Sequence, residues 1–172
     1  MRKTKNLTFC SIMVALSVVL LFICSFLESL NLTAVLLSSI CVFVVDEELH
    51  MKRALGVYLA TGILAFLLLP SKLIAIEYFI YALYPVLKRQ IGKTGRGVSI
   101  ILKGIYIMVA TVGDLAVIKL FFPSEIESQL LYILSGVVGV IWIILYDLFY
   151  SRLAKLYHFK LRHQLRIDKF FD

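Results

Sequence analysis

Leu7–Leu27, LTFCSIMVALSVVLLFICSFL, contains no charged side chain, and Leu130–Tyr150, LLYILSGVVGVIWIILYDLFY, contains one, Asp147. A helix needs about 20 apolar residues, at ~1.5 Å each, to cross roughly 30 Å of hydrocarbon. Both stretches meet that length. Strands of a membrane barrel would alternate polar and apolar residues in short segments, which neither stretch does. Outward from these two, four more apolar runs follow the same rule: Leu32–Val45, Ala54–Leu69, Leu73–Leu87 and Ile100–Phe122. The expected fold is an all-α membrane protein, a compact bundle of six transmembrane helices. The second, third and fourth runs are short, so they must borrow flanking residues, thin the bilayer locally or be shielded by other helices. A four-span arrangement with Leu32–Leu69 as a re-entrant hairpin stays open as the alternative.

Composition agrees. The 172 residues are 61% hydrophobic, against roughly 45–50% for soluble domains. The net charge of +7 would suggest nucleic acid in a soluble protein. Here the basic residues sit between and beyond the apolar runs, so they report topology and nucleic acid is not an expected partner. With six spans, Arg2, Lys3 and Lys5, then Lys52 and Arg53, then Lys88, Arg89, Lys93 and Arg96, then six from Arg152 to Lys169 all fall on one side. Opposite them stands only Lys72, while Lys103 and Lys119 lie inside the fifth run, where long side chains snorkel to an interface. Both termini are therefore expected in the cytoplasm, with residues 1–151 forming the membrane domain and 152–172 a basic tail. Leu153, Leu156, Phe159 and Leu161 could dip that tail into anionic lipid. The basic start reads as part of a retained first span, because the apolar stretch is too long for a signal peptide and lacks a small-x-small cleavage site.

Ionisable groups inside a bilayer cost several kcal/mol, so each needs a partner or a purpose. Glu77 lies about 6 Å, and Asp114 about 12 Å, below the outer ends of their spans at ~1.5 Å per residue. Glu77 shares a helical face with Tyr81, Tyr84 and Lys88. Two readings stand side by side. In one, Glu77, Tyr81 and Asp114, with Asn31 and Glu28 above, line an outward-facing substrate pocket. In the other, the two acids form a buried structural pair. Lys119 is turned about 140° from Asp114, at ~100° per residue, and is no same-helix partner for it. Asp147 is expected to be tied to Lys103 or Arg152. The run Asp46-Glu47-Glu48 before His50 is expected as a solvated loop, with cation binding as the sharper option.

Ser11-x-x-x-Ala15, Gly56-x-x-x-Ala60 and the pair Gly136 and Gly139 permit close helix approach. Trp142 and most tyrosines read as packing residues. Cys10, Cys24 and Cys41 lie in apolar runs and read as small packers, so neither a disulfide nor a metal site is expected. Gly92 to Gly97 lacks the order of a phosphate-binding loop, and no catalytic constellation is present. The chain is not expected to be an enzyme, and no cofactor is expected.

In length, span count and orientation the chain resembles the substrate-binding S components of energy-coupling factor (ECF) transporters. It is also similar to a clostridial-type group of six-span membrane proteins without an assigned activity, through Leu67-Leu68-Leu69-Pro70-Ser71-Lys72, Tyr84-Pro85-Val86-Leu87-Lys88 and Tyr146-Asp147 with Arg152-Leu153. The first resemblance implies a multi-pass protein of a bacterial cell (inner) membrane that takes up a vitamin-like small molecule. A separate transmembrane coupling subunit and two ATPases would drive release. In S components an alanine-x-x-x-alanine face of the first helix meets the coupling subunit, and this maps to Ser11 and Ala15, with serine in the first place. The rival class is a non-transporting membrane scaffold of the cell envelope, since rod-shape-determining membrane proteins have a similar size and span count.

Overall fold

A computed structural model of the chain describes residues 2–26, 31–92, 96–121, 129–157 and 159. The regular elements among them are all helices: α1 (Arg2–Cys24), α2 (Asn31–Leu49), α3 (Met51–Leu68), α4 (Lys72–Tyr81), α5 (Tyr84–Ile91), α6 (Arg96–Phe121) and α7 (Gln129–Leu156). Four helices are long and apolar enough to cross a membrane, over Thr4–Cys24, Met51–Leu68, Gly97–Val117 and Gly136–Leu156. Their outward faces are apolar: Ile12, Leu16 and Ile23 on α1, Ile101, Ile105 and Met108 on α6, and Ile141, Ile144 and Leu148 on α7 are all exposed. In water such faces would drive aggregation. A bilayer is the solvent in which backbone-satisfied helices carry them without cost.

The interior is unusual in its chemistry. Its largest fully buried side chains include Tyr78, Tyr81, Tyr84, Tyr146, Tyr150 and Tyr157, and a buried tyrosine needs a partner for its hydroxyl. α2 is the central post, packed against α1, α3, α4 and α5. It also meets α7, where Ser39 Oγ lies 2.6 Å from the hydroxyls of both Tyr146 and Tyr150. α2 and α3 are joined through a single residue, His50, whose φ of 71° lies in a region that favours glycine. At Gly62 of α3 an added Cβ would stand 2.4 Å from the Phe79 ring, so this position lets α3 and α4 approach closely.

The run expected as one fourth span, Leu73–Leu87, is two helices. α4 ends at Tyr81 and α5 begins at Tyr84. The cause is Pro85, which has no N–H to give the Tyr81 carbonyl and whose ring crowds it. Three consecutive carbonyls at the break accept instead from tyrosines of three other helices. Tyr58 of α3 donates to Phe79 O at 2.7 Å, Tyr106 of α6 to Ile80 O at 2.5 Å, and Tyr146 of α7 reaches Tyr81 O at 3.3 Å. In a medium without water this substitution keeps a broken helix affordable. Tyr58, Tyr106 and Tyr146 thus complete the break that the proline makes.

Other boundaries shift by a few residues. α7 runs without interruption to Leu156, past the expected start of the tail at 152. Leu156 and Phe159 are exposed, as a lipid-dipping surface would be, but Leu153 packs on the core. Tyr157 is buried, with its ring 5.8 Å from that of Phe43. Leu161 lies outside the described residues.

Candidate functional site

The break sorts the polar residues of α4 and α5 to opposite ends of the bundle. Tyr84 and Lys88 come after it and turn to Asp147 of α7. Lys88 Nζ stands 2.7 Å from Asp147 Oδ1 and Lys103 Nζ of α6 3.1 Å from Oδ2, while the Tyr84 hydroxyl donates to Oδ1. Lys88 also donates to the Asp147 carbonyl and, at 2.6 Å, to Ser151 Oγ. Next along α5, Arg89 pairs with Asp46 at 3.3 Å and approaches Glu47 at 3.8 Å. Tyr157 donates to Glu48 at 2.9 Å. The acidic run at the end of α2 is therefore the last turn of a helix with its carboxylates engaged, and Asp46 is buried. The solvated-loop expectation is corrected: α5 packs on that turn and brings Arg89 to it. Of the two partners expected for Asp147, the structure supplies Lys103, and adds Lys88.

Glu77 and Tyr81 come before the break and turn to α6. The Tyr81 hydroxyl donates to Asp114 Oδ2. Glu77, Tyr81 and Asp114 line one cavity of about 300 Å³ together with Leu32 of α2, Thr111 and Leu115 of α6, and Val138, Gly139, Trp142 and Leu145 of α7. Glu77 Oε2 is buried and accepts no hydrogen bond from any described residue. Lys72, at the start of the same helix, is committed elsewhere. It donates to the Phe66 and Leu69 carbonyls at 2.7 and 3.0 Å, where a cation suits the carboxyl end of α3.

The structure thus brings together three of the five expected pocket residues. Asn31 opens α2, and its Oδ1 is buried without a described partner, but Leu32 beside it lines the cavity instead. Glu28 lies outside the described residues. Trp142 and Thr111 are the additions. Thr111 was legible as a helical neighbour, one turn from Asp114, whereas no spacing in the sequence marks Trp142.

The expected coupling residues, Ser11 and Ala15, line a separate groove of about 790 Å³ between α1 and α3. Gly56 and Ala60 face them across it, with Asn6 and Arg53 also in its wall. The small residues of α1 and α3 therefore do not close on each other. Compared with models of protein families, with curated proteins and with solved structures, the chain matches none.

Proposed function

We propose that the chain is a multi-pass protein of a bacterial cell (inner) membrane that captures a small molecule in the cavity between α4, α6 and α7 and passes it inward with a separate ATP-driven coupling module. In this reading there are six crossings. α4 and α5 together make the fourth, Lys72–Ile91, whose 20 residues span about 30 Å at ~1.5 Å each. α2 makes the second, shielded from lipid by its neighbours, and both termini lie in the cytoplasm.

The observation that carries the reading is the pair of carboxylates in one cavity with Glu77 Oε2 left unmatched among the described residues. A group so costly in a bilayer is retained for what it binds. The cavity's volume sits at the lower end of the range for small-molecule sites, about 300–1,000 Å³, and its walls show the usual mix of apolar surface and a few polar anchors. The broken fourth crossing supports it too, since interrupted helices in membranes border binding sites or water-filled cavities. A scaffold has no use for two acids in one cavity, and leucine and phenylalanine would serve it better. The coupling subunit would dock in the α1–α3 groove at Ser11 and Ala15, where small residues admit a further helix.

Native mass spectrometry of the protein purified gently from its own host tests this. One small molecule per chain, released on denaturation, with coupling subunits in the same preparation, is the expected result. Recovery of neither molecule nor subunits would contradict it.

A further inference from the structure

We infer that the occupant of this cavity is an organic cation: an amine or amidinium held by Glu77 and Asp114, carried on a compact apolar body that rests against Trp142. The inference deepens the binding reading above and depends on it.

Charge comes first. Glu77 and Asp114 line the cavity and no lysine, arginine or histidine does so among the described residues. Lys72 is held by the α3 carbonyls and by the face of Phe66, 5.5 Å away. Lys119 is exposed and points off the Asp114 face. Among the described residues one hydroxyl, that of Tyr81, is placed on the Asp114 carboxylate. An anionic ligand would add like charge in a medium that screens it poorly. A neutral one would fit only after the acids had taken up protons, whereas a cation pairs with them in their ionised form. A cationic head answers both.

The walls say what the head is attached to. Trp142 is the best of the aromatic faces for a cation, and Leu32, Leu73, Leu115 and Leu145 supply apolar contact. Among the described residues no group of three or more His, Cys, Asp or Glu side chains is placed to hold a metal ion. The route in is apolar as well: Val138, Ile141 and Leu145 line the cavity from α7 yet are 58%, 52% and 54% exposed. The side of the cavity along α7 therefore meets lipid, which suits a ligand whose body partitions into the bilayer before its head reaches the acids.

Trp142 is the chain's single tryptophan, so its fluorescence reports on this cavity. Full-length protein in lipid nanodiscs, stripped of any molecule carried from the host, is titrated with benzylamine, benzyl alcohol and benzoate. The expected result is a saturable change with benzylamine, at least about tenfold tighter than with benzyl alcohol and absent with benzoate. That tenfold corresponds to ~1.4 kcal/mol. In the double variant Glu77→Gln with Asp114→Asn the preference for the amine disappears. Equal binding of amine and alcohol, tighter binding of benzoate, or no saturable response to any of the three would overturn the cation assignment. The molecule recovered by mass spectrometry separates the two levels. A neutral or anionic molecule sinks the cation and leaves the binding reading standing, whereas recovery of no molecule sinks the binding reading.

Discussion

Asp147→Ala is expected to cost about 2–3 kcal/mol of stability, read by chemical denaturation of the purified protein. A single carboxylate faces two ammonium groups, Lys88 at 2.7 Å and Lys103 at 3.1 Å, and accepts the Tyr84 hydroxyl besides. Removing it leaves the two ammonium groups beside each other without the carboxylate that pairs them. Breaking a fully buried pair costs about 3–5 kcal/mol. The side chains here keep 27%, 19% and 32% exposure for Asp147, Lys88 and Lys103, which lowers the figure. Lys103→Met should cost less, because Lys88 still neutralises the aspartate at the shorter distance. Adding Lys88→Met and Lys103→Met to an Asp147→Leu chain should recover part of the loss, since unpaired charge, and not the missing contact, dominates the penalty. A change within about 0.5 kcal/mol for Asp147→Ala would put it in the range of an ordinary surface substitution and remove its role as a clamp.

The second large effect falls on binding and not on stability. Glu77→Gln with Asp114→Asn preserves shape and leaves a side-chain oxygen to accept from Tyr81, but takes away both negative charges. Charge-assisted hydrogen bonds contribute about 1.5–3 kcal/mol each. Loss of one such bond is enough to weaken retention of the bound molecule by one to two orders of magnitude, and loss of two by more. The ligand-free variant should be as stable as the parent or more so, because sites built for a ligand are strained without it. The opposite pattern, a destabilised variant that keeps its molecule, belongs to a structural pair of acids.

How much of this was open to reading from the sequence differs by feature, for physical reasons. The long apolar runs announced that α1, α6 and α7 exist, because in lipid a helix must be both long and apolar, but not where they end: α1 starts at Arg2 and not Leu7, and α7 runs to Leu156 and not Tyr150. The break in the fourth run was harder. Pro85 was visible, but its effect falls four residues back, on the Tyr81 carbonyl, and whether the chain tolerates that depends on hydroxyls from α3, α6 and α7. No spacing within Leu73–Leu87 encodes those partners. Helical spacing puts Glu77, Tyr81, Tyr84 and Lys88 on one continuous face, whereas the break hands its two halves to different sites. Glu77, Tyr81 and Asp114 were legible as candidates because charge is expensive in an apolar run. Trp142 is indistinguishable in the sequence from a packing residue, as aromatic residues at helical positions usually are, and only the cavity sets it apart. The end of α2 was misread because three acids in succession look like a loop until Arg89 and Tyr157 are found beside them.

If Glu77 and Tyr81, with Asp114 and Trp142 opposite, surround a bound molecule, an experimental map of the protein purified from its own host, in lipid, should contain it. The expected density belongs to neither protein nor phospholipid and is bounded by Glu77, Asp114 and Trp142. A collapsed cavity, with Trp142 packed into it and Glu77 hydrogen-bonded to the chain itself, would contradict it.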